Sequence, residues 1–347
     1  MNKKQITLSD LAKELGISTA TVSRALKDYP DISDETKVRV LGLAKKWNYR
    51  PNSMAAGLRK RESKVIGVIV PDIINHFFSS VIKGIMSVAY DADYRVMLMQ
   101  SDESFEKEQV DAEALFSSRV DGVLVSVAHG TKSYEHLLQF NNSGIPIVFF
   151  DKVPKEVVDS SKVMVDDFHG AFSVVEHLLE QGCRHIAHFR GPQLASTSIN
   201  RYEGYLAALK KYDLPVNEAL ILECEELTLE EGQAFTNRIL NSGQPVDGIF
   251  AVTDAVALGT LVALREAGKK VPQEIAVAGF SDWKISAILD PPLTSVAQPS
   301  EEMGTLAAKL LLKEIAGMKD DEEVSPETII LRTELKIRKS SMKKTFL

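Results

Sequence analysis

Arg24 closes a run of short side chains, Thr19-Ala20-Thr21-Val22-Ser23. Small residues let a helix sit deep in the major groove of DNA, where a guanidinium can fork onto O6 and N7 of guanine. A second grouping sets Leu58 beside Arg59, Lys60 and Arg61. An apolar wedge among cations suits a minor groove whose base step it unstacks. The charge balance agrees with contact to phosphate at one end only. Thirteen Lys and Arg stand against seven Asp and Glu over residues 1–62, a balance of +6, and the rest of the chain carries −13. A cationic head on an anionic body is the expected asymmetry.

Three helices and a short, proline-led fourth must position these groups. Thr7 followed by Asp10 reads as a helix start, Leu8, Leu11, Ala12 and Leu15 recur at helical spacing, and Gly16 supplies the turn. Ser18 caps a second helix over 19–26, with Val22, Ala25 and Leu26 inward and Thr19, Ala20, Ser23 and Arg24 outward. Together they form a helix-turn-helix. Ser33, Asp34 and Glu35 begin a third helix to about Trp47, with Val38, Leu41 and Ala44 predicted to close the core. Pro51 then stops the chain and Asn52 caps a short fourth helix through Ala55, Ala56 and Gly57 to Leu58. A helix so short needs a partner surface. The groups assigned to DNA are Thr7, Ser18, Thr19, Ala20, Thr21, Ser23 and Arg24 from the head, and Asn52, Ala55, Leu58 and Arg59 from the linker.

Beyond residue 62, short apolar runs (65–70, 95–99, 122–127, 145–150, 186–190, 248–252, 275–280) alternate with amphipathic stretches (77–90, 105–118, 168–181, 202–212, 229–241, 255–267). That is a βα pattern with mainly parallel sheets, and its length calls for two similar lobes flanking a cleft. Lys3 and Lys4 lead into Ser9 and Asp10, not into an apolar segment, so the expected location is cytoplasmic. No apolar run approaches the roughly 18–20 residues of a membrane span. Cys183 and Cys224 read as free core thiols, and the seven histidines lack metal-ligand spacing. With no G-x-S-x-G, P-loop or G-x-G-x-x-G motif, the sequence predicts neither an enzyme nor a bound cofactor.

The motifs together resemble the LacI/GalR family of bacterial transcription regulators. They are Thr-Leu-Ser-Asp-Leu-Ala at 7–12, Gly-Ile-Ser-Thr-Ala-Thr-Val-Ser-Arg at 16–24, Asn-Tyr-Arg-Pro-Asn at 48–52, and further segments through Pro291-Pro292-Leu293-Thr294-Ser295-Val296. The resemblance implies a helix-turn-helix head (1–48), a hinge helix or linker (49–62) and a periplasmic-binding-protein-like effector-binding and dimerisation core (63–337), with a tail at 338–347. It places the N-lobe at about 63–163 plus 298–326, and the C-lobe at about 164–296 plus 328–337. It also implies a repressor that binds a near-palindromic operator as a homodimer under control of a small molecule such as a sugar, sugar derivative or nucleoside. The alternative is a solute-binding protein of similar core.

For the cleft, the resemblance points to Asn75, Phe77 and Phe78 from the first lobe, Asp151 at the inter-lobe edge, and Arg201, Asp254, Ser281 and Asp282 from the second. Phe77 and Phe78 equally suit a helix start packed in the lobe core, and Asp254 equally suits an N-cap. Many sugar-responsive relatives have an aspartate at the position of Ser281 and an aromatic near Leu227; this chain has its acid one residue later and no aromatic there.

Overall fold

The Thr7 side chain accepts from the Asp10 amide (3.2 Å) and the Asp10 carboxylate accepts from the Thr7 amide (2.8 Å), so helix α1 (Leu8–Leu15) starts on a reciprocal cap. The computed structural model describes residues 6–49, 62–154, 159–320, 322 and 324–343. They fall into two units, divided between Ser63 and Lys64.

In the first unit, Gly16 ends α1 with a positive φ of 66°. Ser18 caps α2 (Thr19–Leu26) by accepting from the Thr21 amide at 3.0 Å, and Ser33 caps α3 (Asp34–Lys46). Leu11, Val22 and Val40 are wholly buried. At about 1.5–3 kcal/mol for each such side chain, this is a small core, and the caps carry a corresponding share of the order. Helix α3 keeps Ala44 inward as expected, but not the other two residues expected there. Val38 and Leu41 are exposed, whereas Val40 and Ala44 are buried with Leu43 and Trp47 packed beside them. Both sets have helical spacing and share Ala44; Val40, Leu43, Ala44 and Trp47 are the row packed in the core of the head.

The second unit holds two six-stranded sheets. The first sheet has the order β11-β5-β4-β3-β1-β2, built from β1 (Val65–Val70), β2 (Arg95–Gln100), β3 (Gly122–Val125), β4 (Ile147–Phe150), β5 (Lys162–Val165) and β11 (Thr328–Leu331). The second has the order β12-β10-β9-β8-β6-β7, with β6 (Ile186–Arg190), β7 (Ile221–Glu223), β8 (Gly248–Ala251), β9 (Ala276–Ser281), β10 (Thr294–Ala297) and β12 (Glu334–Lys336). Every pairing is parallel except β10 with β12. Helices α4 (His76–Asp91), α5 (Phe105–Ser117), α6 (Glu135–Asn142) and α11 (Ser300–Asp320) cover the first sheet. Helices α7 (Asp167–Glu180), α8 (Ser196–Lys211), α9 (Leu229–Asn241) and α10 (Asp254–Glu266) cover the second. Helices α4 and α11 approach so closely that a Cβ on Gly84 would lie 2.2 Å from the Glu301 carbonyl oxygen, and one on Gly304 2.0 Å from that of Val81.

The chain passes between sheets after Val165, Ala297 and Leu331. The third passage, at 332–333, falls later than the expected 326–328 because β11 continues the first sheet alongside β5 to Leu331↔Val165. The stretch beyond 337 is no loose tail as far as it is described. Ser340 and Ser341 are wholly buried: the Ser340 carbonyl accepts from the Val277 amide (2.8 Å), and Ser341 Oγ bonds His177 Nε2 (2.8 Å). Arg338 donates to the Leu293 carbonyl at 2.7 Å. These buried polar groups satisfy each other and anchor the segment to the second lobe. Cys183 and Cys224 are free and buried. No helix among the described residues is long and apolar enough to cross a membrane.

Candidate ligand cleft and nucleic-acid interface

On the head, Thr7, Ser18, Thr19, Ala20 and Arg24 are exposed, and Thr21 and Ser23 are half-buried. The Ser18 and Thr21 hydroxyls bond each other at 2.8 Å, which spends part of their capacity on the cap. Arg24 is engaged within the head: its Nη2 lies 2.5 Å from Asp31 Oδ2, and its guanidinium sits 5.4 Å from the centre of the Tyr29 ring. Asn52, Ala55, Leu58 and Arg59 lie outside the described residues.

In each sheet of the core, the strand order reverses beside the first strand, β1 or β6. In open α/β sheets, ligands bind beyond the carboxyl ends of strands near such a switch point. Asp151 and Asp282 follow directly after the carboxyl ends of β4 and β9, Asp254 follows shortly after that of β8, and Ser281 is the last residue of β9. Three of them have positive φ: Asp151 (57°), Ser281 (110°) and Asp282 (48°). Held by their surroundings in a region that L-residues rarely adopt, they store strain of the kind that collects at ligand-binding sites.

Their side chains divide into two groups. Asp151 lines a cleft of about 290 Å³ together with Asp166, Asp167, Ser196, Asn200 and Glu203. Elements of both lobes face it. The lobes also touch there, the Val153 amide donating to Ser196 Oγ at 3.2 Å. Burial pushes the Asp151 carboxyl up to about 7; Lys152 and Arg201 pull it down, while Asp167 pushes it further up. Arg201 is buried, donating through Nε to Asp167 Oδ1 (2.8 Å) and through Nη1 to the Val252 carbonyl (2.8 Å). Its guanidinium is 3.8 Å from the centre of the Phe280 ring. Burial raises the Asp167 carboxyl and Arg201 opposes that shift. Arg201 is therefore already held by the protein on one side.

Asp254, Asp282, Asn75, Phe77 and Phe78 have structural partners. Asp254 is 1% exposed and accepts from Ser295 Oγ (2.5 Å), Ser286 Oγ (2.6 Å) and the Trp283 amide (2.8 Å). Burial raises its carboxyl to about 6 against those three donors. Its carboxylate thus fixes the 281–286 loop, and Thr253, not Asp254, is the N-cap of α10. A Cβ on Gly279 would lie 2.4 Å from Asp254 Oδ1, so that glycine admits the carboxylate. Asp282 accepts from Arg338 Nη1 (2.6 Å), and its amide donates to Ser295 Oγ (3.0 Å). Asn75 caps α4, its Oδ1 accepting from the Phe77 amide at 2.9 Å. Phe77 and Phe78 are buried in the first lobe's core, edge to face with ring centres 5.2 Å apart.

Sequence reasoning missed Asp167, Lys152 and Glu103. Lys152 is buried, pairs with Glu103 and lies 5.8 Å from the Phe78 ring centre. Burial alone would raise the Glu103 carboxyl, but Lys152 and His129 outweigh it and hold the group at about 2. The signal available was the adjacency of Asp151 to Lys152 and of Asp166 to Asp167; neither spacing names a partner 49 residues away, as Glu103 is from Lys152, or 34, as Arg201 is from Asp167.

Comparison with known proteins gives this geometry a family. Residues 7–52 match the model described as bacterial regulatory proteins, lacI family, and residues 175–341 match that of a periplasmic binding protein-like domain. The ribose operon repressor of Halalkalibacterium halodurans is 35% identical over 309 residues, 89% of this chain and 90% of its own. The chain belongs to the LacI family. It is a DNA-binding transcription regulator with a ligand-binding core. Among solved structures, a transcriptional regulator CelR–cellobiose complex matches with a TM-score of 0.73 and 28% identity, covering 96% of this chain and 99% of that one. The lac repressor dimer bound to operator and an anti-inducer shares the fold, with a TM-score of 0.83 at 24% identity over 98% of this chain and 100% of that one.

Proposed function

We propose that this LacI-family regulator is a cytoplasmic repressor that binds a near-palindromic operator as a homodimer, and that a small ligand closing its two lobes changes its operator affinity. The ligand class is a sugar, a sugar derivative or a nucleoside. The observation that carries the ligand reading is the cleft that Asp151 of one lobe lines together with Asp167, Ser196 and Asn200 of the other, with Arg201 buried behind Asp167 as its partner. Carboxylates, a hydroxyl and an amide on opposing walls hold the hydroxyls of a ligand from two sides and reward closure, since a ligand shifts the lobes only by contacting both. Relatives named for a ribose operon and a cellobiose complex support the polyhydroxylated class. Arg24 reads a guanine, and Leu58 with Arg59 acts in the minor groove. No catalytic step is assigned to the cleft. A thermal-shift screen of sugars, sugar phosphates and nucleosides tests this reading: a ligand at 100 times its Kd stabilises by about 2.7 kcal/mol. If no member of these classes shifts the transition, the ligand class is wrong.

A further inference from the structure

The loop between α2 and α3 bears directly on Arg24. It is a fixed loop. The Tyr29 amide donates to the Arg24 carbonyl (3.1 Å), the Ile32 amide to the Tyr29 carbonyl (3.3 Å), and the Asp28 carboxylate pairs with Lys37 at 2.7 Å. Asp28 itself turns the chain at φ 56°, and Ser33 ends the loop as the cap of α3. The loop thereby presents Asp31 and Tyr29 on the side where Arg24 leaves α2, with Asp31 Oδ2 2.5 Å from the guanidinium and the Tyr29 ring beside it.

We propose that Asp31, with Tyr29, is a holding site for the Arg24 guanidinium and so a determinant of DNA specificity. It rests on the reading of Arg24 as a base-contacting residue. While Arg24 is held, its charge is neutralised by Asp31, so it adds little to the attraction that any duplex exerts through its phosphates. Only a partner that satisfies the fork at two points competes with the carboxylate, and guanine does so through O6 and N7. The pair is about half exposed, which keeps the holding weak enough to release. Release from Asp31 thus costs the operator complex the full worth of the pair, whereas a complex on arbitrary sequence can leave Arg24 held and loses at most that much.

The test uses the full-length protein, the duplex it selects from random sequence, and a scrambled duplex of equal length and composition, titrated over a range of salt. Asp31→Asn should tighten binding to the selected duplex by about two- to fivefold, the worth of an exposed pair. It should tighten binding to the scrambled duplex by less, and steepen the salt dependence there by about 0.9 in log–log slope, one further phosphate contact. In an Arg24→Ala background, the same change should shift both duplexes equally and leave the slope difference absent. Equal shifts with Arg24 present, or an unchanged slope on the scrambled duplex, would overturn the holding site. If Arg24→Ala alone leaves the selected base preference intact, the guanine assignment fails, and the scrambled-duplex slopes still decide whether Asp31 holds Arg24.

Discussion

Arg201 shows how a single side chain carries two roles. Its bond to buried Asp167 means that Arg201→Ala leaves a buried carboxylate unpaired, a change that costs about 3–5 kcal/mol. Thermal melting should show a large drop for Arg201→Ala and partial recovery on adding Asp167→Asn; an unshifted melting temperature would show that the pair contributes nothing to the fold. Asp151 gives a pH signature. Its folded-state pKa of about 7 lies above the ordinary 3.8, so between these values the folded protein binds more protons than the unfolded chain. The contribution of Asp151 to stability therefore falls as pH rises through this window and is level above it. Asp151→Asn should gain in melting temperature relative to the unmodified protein at pH 8 and lose that advantage near pH 4. A difference independent of pH would contradict the shift. Arg24 and Arg201 were legible as polar groups with chemistry to do; their partners Asp31 and Asp167 were not, because spacing cannot say which carboxylate folds back onto which cation.

At the scale of elements, the βα alternation was legible wherever a strand carried a run of apolar residues, as in Val65–Val70 or Ala276–Ser281. The strands that escaped, β5, β7, β10, β11 and β12, have three or four residues each, and most of them are defined by neighbours distant in sequence. The late third passage and the 338–343 segment anchored by buried Ser340 and Ser341 escaped for the same reason. They depend on pairing across the sheet, not on local pattern. This segment has a testable consequence. Removing residues 338–347 takes Arg338 from Asp282, Ser340 from Thr294 and Ser341 from His177. The truncated protein should unfold at much lower temperature than the full chain, because buried partners lose their hydrogen bonds. A melting temperature within a degree or two of the full chain would mean that the clasp is dispensable.

For the whole molecule, the sequence disclosed a basic head and an acidic two-lobed body, and the family match joins them in one regulator. Regulation requires that occupation of the cleft alter the affinity of the head for DNA, a coupling typically of about 5–150-fold in either direction. The direct measurement is equilibrium titration of the selected operator duplex with full-length protein, with and without a saturating concentration of the ligand found by thermal shift. The unmodified protein should change its operator affinity within that range. Asp151→Ala should bind the duplex with the ligand-free affinity whether or not the same ligand concentration is present. An operator affinity that stays constant while the ligand demonstrably occupies the unmodified core would contradict a ligand-controlled regulator.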